Sequence, residues 1–148
     1  MDRQVIQSTG FRNIVEDGEI WGFQLKVRLP YYRGIFLSQL RAGTLYVDGE
    51  EFAADSIIWN IKDEDYTLEE MRKDYNTQWD VTSPAVLKVK KKGGLAQGYH
   101  DLKMGFCWTS SYMPPIMQND VELNPDREPM VYMPEFGHHV NERRLLIV

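Results

Sequence analysis

The amino-acid sequence predicts an all-β protein. The expected fold is an antiparallel β-sandwich with one short helix and a long proline-rich C-terminal arm, over about residues 113–141. Three observations lead there. Apolar residues alternate with polar ones at period two in stretch after stretch, as in strands that turn one face to a core. Tight-turn dipeptides such as Asp17-Gly18 and Asp48-Gly49 separate these stretches at short intervals. Helical signals are confined to one capping signature, and a length of 148 residues suits a single domain spanning 1–148.

Taken in order, residues 11–15 read as a short strand, and Asp17-Gly18 forms the turn into a longer one. From Trp21 to Leu29 every odd position is apolar (Trp21, Phe23, Leu25, Val27, Leu29), which predicts one buried stripe that includes Trp21. Pro30 ends pairing because it has no backbone N–H to give. Residues 44–47, Asp48-Gly49 and residues 50–52 form a second hairpin, and residues 56–61 a strand with Ile57, Trp59 and Ile61 on one face. Asp63, Glu64 and Asp65 read as a solvated turn that lacks the glycine and closing glutamate of a calcium loop. Thr67 and Glu70 have capping-box spacing and predict a helix through about Lys73. Residues 85–91 form a strand ending at Gly93-Gly94. In the next strand His100, Leu102, Met104, Phe106 and Trp108 share a face. Residues 143–148 return as a terminal strand.

The arm breaks the pattern. Pro114, Pro115, Pro125, Pro129 and Pro134 stand among Ile116, Met117, Met130, Val131, Tyr132, Met133 and Phe136. A structureless run of this length is uncommon inside a compact domain, and this one is too apolar for a disordered linker. The economical account is an arm that buries its side chains against another chain. Expressed alone, the protein is then expected to self-associate or dissolve poorly.

Composition removes several function classes. A formal charge of −5 argues against nucleic acid, whose phosphates demand a dense basic surface. Lys88, Lys90, Lys91 and Lys92 read as the solvated end of a strand. The polar N-terminus lacks a signal-peptide pattern, no apolar run approaches a membrane span, and the single Cys107 can form no internal disulfide. A soluble cytoplasmic protein is expected. No metal-ligand spacing emerges from the three histidines, and His138 and His139, being adjacent, would face opposite ways on a strand. Cys107 lies between aromatic residues and reads as an inert thiol, Ser110-Ser111 lack a nucleophile elbow, and the glycines at 93, 94 and 98 open no helix. No catalytic set and no metal site are therefore expected in this chain.

Two clusters stand out as interface or substrate-pocket candidates. The first, Pro30, Tyr31, Tyr32 and Arg33, has the stiff, polar-tipped residues enriched in interfaces; the competing reading is a packed corner. The second, Tyr112, Met113 and Pro114, opens the arm and reads equally as a strand terminus. Within the arm, Tyr132 and Phe136 are candidate contacts. His138 and His139 are candidate interface hydrogen-bonders or, if the arm enters a partner's pocket, proton donors.

Six short stretches, in order, resemble the β subunit of bacterial C-glycoside deglycosidases: residues 27–34 (VRLPYYRG), 37–38 (LS), 47–51 (VDGEE), 66–71 (YTLEEM), 92–98 (KGGLAQG) and 111–114 (SYMP). The resemblance covers about residues 10–115, and residues 115–139 extend beyond the compact members of that family. It implies a heteromeric lyase acting on 3-oxo-C-glycosides with aromatic, flavonoid-type aglycones. A base removes the C2 hydrogen acidified by the 3-ketone, and the enediolate expels the aromatic carbon from C1. It further implies that a TIM-barrel α subunit carries a divalent metal, manganese, and the acid–base residues. This chain, inactive alone and without a cofactor, would support and shape the site within a higher heteromer. The main alternative is a stand-alone carbohydrate-binding sandwich stacking sugars on Trp21, Tyr31, Tyr32 or Trp108. An independent metal-dependent hydrolase is a further one.

Overall fold

The structure is a computed structural model that describes residues 5–29, 34–108 and 139–147; of Cys107, His139 and Val140 it describes the backbone alone. The described strands are β1 (Arg12–Glu16), β2 (Glu19–Val27), β3 (Ile35–Phe36), β4 (Leu40–Val47), β5 (Glu50–Phe52), β6 (Ile57–Ile61), β7 (Glu64–Tyr66), β8 (Gln78–Trp79), β9 (Ala85–Lys90), β10 (Gly98–Trp108) and β11 (His139–Ile147), with helix α1 (Leu68–Arg72) after β7. They form antiparallel sheets in the orders β1-β2-β9-β6-β7 and β11-β10-β4-β5, with β3-β8 as a small third pair. The expected sandwich is what is found.

Alternation explains which faces meet. Phe23, Leu25, Val27, Ile57, Trp59, Leu87 and Val89 of the first sheet are buried, as are Leu45, Val47, Leu102, Met104, Phe106, Leu145 and Ile147 of the second. Edge-to-face aromatic pairs join the layers: Phe23 meets Phe52 at 5.3 Å, and Trp59 meets Phe106 at 6.2 Å. Such pairs add about 0.5–1.5 kcal/mol each beyond the area they bury. The Trp59 indole N–H is buried without a hydrogen-bond acceptor among the described residues. The Trp59 ring lies in T-shaped contact with the rings of Trp79 and Phe106.

Local turn chemistry closes the hairpins. Asp17 and Gly18 both take positive φ (53° and 78°), as do Asp48 and Gly49 (51° and 84°), the twist that two-residue hairpins require. Thr67 and Glu70 form the expected capping box: Thr67 Oγ1 accepts from the Glu70 N–H at 3.1 Å and Glu70 Oε1 from the Thr67 N–H at 3.0 Å. Gly22 is needed for another reason, since a Cβ there would overlap the Val89 carbonyl of neighbouring β9.

The structure departs from the sequence reading at several points. Ile14 pairs with Gly22 but Val15 with Ile20, so Trp21 is an extra, bulged residue. The bulge takes it off the stripe, and Trp21 is half-buried instead of buried. A second bulge hid half of β4. Leu40 and Ala42 are buried, then Leu45 and Val47, because one extra residue around Gly43-Thr44 shifts the alternation against β10. The solvated turn read at Asp63–Asp65 is a Lys62-Asp63 turn leading into β7, which pairs with β6. Strand β11 starts at His139, so the arm's expected end near residue 141 lies inside a strand paired with β10.

Candidate functional site

Of the residues singled out from the sequence, Pro30, Tyr31, Tyr32, Arg33, Tyr112, Met113, Pro114, Tyr132, Phe136 and His138 lie outside the described residues, and His139 is described as backbone opposite Phe106. The described flanks of these segments converge. Strand β2 leads through buried Leu29 toward residue 30. Ile6 bridges antiparallel to Val27, its N–H donates to Asn141 Oδ1 (3.0 Å), and Arg143 Nη1 donates to its carbonyl (2.9 Å). Residues 5–7 thus run alongside β11 and against β2. Moving forward along β2 to Leu29 is therefore moving backward along β11 to His139, beside the Trp108 end of β10. The chain enters residues 30–33 and residues 109–138 from one end of the sandwich. Beneath that end Trp79, Phe106 and Trp108 are buried in tilted contact, with centroids at 5.6 and 6.3 Å.

At His100 the sequence showed a lone histidine on an apolar face. In space, its Nδ1 lies 2.6 Å from Asp48 Oδ2 and its Nε2 2.7 Å from the Ala96 carbonyl, with Phe11 edge-on at 6.1 Å. A carboxylate and a carbonyl only accept, so both ring nitrogens donate and the ring is held as imidazolium. Burial works against that charge, but the Ala96 carbonyl and the Asp48 carboxylate together outweigh it and raise the His100 pKa above its ordinary value. Asp48 moves the other way. The Asp101 N–H, at 2.8 Å, and then His100 hold its carboxyl below the usual carboxylate range.

The network extends into a loop. The Asn13 side chain donates to the Leu95 carbonyl (2.9 Å) and accepts from the Leu95 N–H (2.8 Å), tying the loop after β9 to β1. Gly94, at φ 63°, has no room for a Cβ beside Asn13. Two stretches that carried the family resemblance, 47–51 and 92–98, therefore meet at His100. The stretch 37–38 docks elsewhere, on the segment that follows α1: the Leu37 and Ser38 N–H groups donate to the Thr77 and Asp74 carbonyls. With both nitrogens committed, His100 has no lone pair for a metal or a substrate proton. The arrangement ties the turn, loop and strand together.

On the outer face of the second sheet lies a shallow concavity of about 530 Å³, lined by Tyr46, Gly49, Asp101, Lys103, Glu142 and Arg144 among others. Four of its charges pair with one another, while Arg143, which also lines it, donates to the Ile6 carbonyl. Arg144 holds Asp101 through two bonds of 2.7 and 3.1 Å, which keeps that carboxyl below its usual range, and Lys103 lies 3.8 Å from Glu142. Elsewhere Lys88 pairs with Asp65 of β7 and Lys91 with Glu50 of β5 in the other sheet, both at 3.0 Å, so these two lysines of the basic run answer acids of other strands. Among the described residues no group of three or more His, Cys, Asp or Glu is placed to hold a metal ion, and no helix is long and apolar enough to cross a membrane.

Comparison with known proteins agrees with the resemblance. The family described as C-glycoside deglycosidase beta subunit matches residues 1–112. A C-glycoside deglycosidase beta subunit of Eubacterium cellulosolvens is 69% identical over the whole of both chains, so its likeness runs through the proline-rich segment that the family match leaves out. Another, from Microbacterium trichothecenolyticum, is 31% identical over 66% of this chain and 72% of its own length. On the extent of these matches, the chain belongs to the C-glycoside deglycosidase beta subunit family.

Proposed function

We propose that this chain is the small subunit of a heteromeric lyase that cleaves the C–C bond of 3-oxo-C-glycosides bearing aromatic aglycones. The observation that carries the reading is the end-to-end likeness to a protein named as a C-glycoside deglycosidase beta subunit. A β subunit needs a partner, and in this reading the partner is a TIM-barrel α subunit in the cytoplasm. That subunit holds the acid–base residues and a divalent metal, manganese, which supplies Lewis-acid stabilisation of a developing enediolate. The described part of this chain offers His100 and Asp48 only as groups already bonded to each other, which suits a supporting role.

The reaction proposed is an elimination. The 3-ketone acidifies the C2 hydrogen, a base removes it, the C1–aryl bond breaks, and an acid protonates the departing aromatic carbon. The products are an unsaturated keto sugar and the free aglycone, with no water consumed. The contribution of this chain is to cover an apolar face of the partner, shape the aglycone pocket and keep water out. Pro30–Arg33, Tyr112–Pro114, Tyr132, Phe136, His138 and His139 are the residues proposed to do so. In support, the chain enters both undescribed segments from one end of the sandwich, above a buried aromatic layer.

The test is to co-express the chain with the protein encoded beside it and assay 3-oxo-C-glycoside cleavage by each chain alone and by both. Activity is expected only from the pair. Cleavage by this chain alone, or failure of the two to co-purify, would overturn the proposal.

A further inference from the structure

We propose that the open edge of β11 pairs with β11 of a second copy of this chain, antiparallel and centred on Arg143, joining two four-stranded sheets into one. A sheet edge exposes a row of unpaired N–H and C=O groups, and proteins keep such edges short, bulged or covered. Three of the four edges of the two large sheets follow that rule: β5 and β7 have three residues each, and β1 has five with a bulge. Strand β11 is neither short nor bulged. It is nine residues long, pairs with β10 without irregularity, and contains no proline. Among the described residues no backbone hydrogen bond reaches its other edge. Residues 5–7 leave that edge open, because Ile6 is held by the side chains of Asn141 and Arg143 on the face that buries Leu145 and Ile147.

The occupant is argued from charge. Glu142 and Arg144 lie on the solvent face of β11. In antiparallel pairing centred on Arg143, Glu142 of each copy stands opposite Arg144 of the other. The existing pairs Lys103–Glu142 and Arg144–Asp101 then continue across the junction as rows of alternating charge: Lys103, Glu142, then Arg144 and Asp101 of the second copy. Centring on Glu142 would set two glutamates face to face, and centring on Arg144 two arginines. Sliding by a single residue would set solvent-facing positions against core-facing ones. Arg143 does stand opposite its own copy, but each guanidinium donates to an Ile6 carbonyl on the core side. Leu146, 44% exposed beside the exposed Tyr99, adds apolar surface near each end of the paired segment.

The test uses the full chain with Arg143→Cys, expressed in cells and oxidised in the lysate, read on a non-reducing gel. Directly opposed Cα atoms in such a pair lie within disulfide reach, so more than about half of the chain should run as a covalent dimer. The parent chain, whose one cysteine is Cys107, should not. Adding Glu142→Arg or Arg144→Glu turns two attractive pairs into two repulsive ones and should lower the dimer about tenfold in each case. Co-expressing those two chains re-creates opposite charges at both positions and should restore a mixed dimer to within about twofold of the original. The restoration separates pairing from misfolding. No cross-linked dimer, a dimer indifferent to the charge reversals, or no recovery on mixing would each overturn the proposal.

Discussion

Replacing His100 by alanine removes a ring that donates to the Asp48 carboxylate and the Ala96 carbonyl and packs edge-on against Phe11. A hydrogen bond to a charged group contributes about 1.5–3 kcal/mol, and an aromatic edge contact about 0.5–1.5 kcal/mol. The Asp48 side chain is half exposed, so water recovers part of its loss, and about 3 kcal/mol of destabilisation is expected overall. For a chain of this size that corresponds to a Tm lower by about 6–12 °C. The pH dependence is the sharper signature. The folded pKa of His100 is raised, so its stabilisation is complete below the unfolded value near 6.5 and fades as pH rises through the folded value. Asp48 is shifted down, so its share is present above its unfolded value and is lost as pH falls through the folded one. The gap between the parent and His100→Ala should be widest around pH 5–6 and should narrow toward pH 9. Urea unfolding across that range, with Asp48→Asn completing a double-mutant cycle, measures it. A gap below about 1 kcal/mol, or one indifferent to pH, would refute a charged, doubly donating imidazole.

Gly22→Ala forces a methyl into the Val89 carbonyl, where backbone must move, and should cost about 3 kcal/mol or more; a near-neutral result in thermal unfolding would contradict the close approach of β2 and β9. Thr67→Ala deletes one half of the capping box and should cost about 1 kcal/mol, with Thr67→Ser close to neutral in the same assay.

The resemblance stretches have physical reasons to be what they are. Asp48-Gly49 supplies a left-handed turn and an acceptor for His100, Gly94 makes room for Asn13, and Thr67 with Glu70 caps α1. These residues build the scaffold. Tyr31, Tyr32 and Arg33, like those of the arm from Tyr112 to His138, lie outside the described residues. The structure brings the described flanks of both segments to one end of the fold.

Strands, hairpins and the helix start were legible because their causes are local. Period-two alternation decides which face is apolar, Asp-Gly accepts positive φ, and a capping box spans four residues. None needs a distant partner. What stayed hidden depends on a neighbour. Trp21 leaves its stripe because β1 pairs across it with a bulge, and the first half of β4 broke alternation to match β10. His100 could be placed on a face from sequence, but its acceptor Asp48 lies 52 residues away and arrives through the pairing of β4 with β10. The chain by itself determined backbone conformation and the sidedness of each strand, since those are short-range steric and solvation effects. Strand register decided which side chains touch, because it is settled by pairing between segments far apart in sequence.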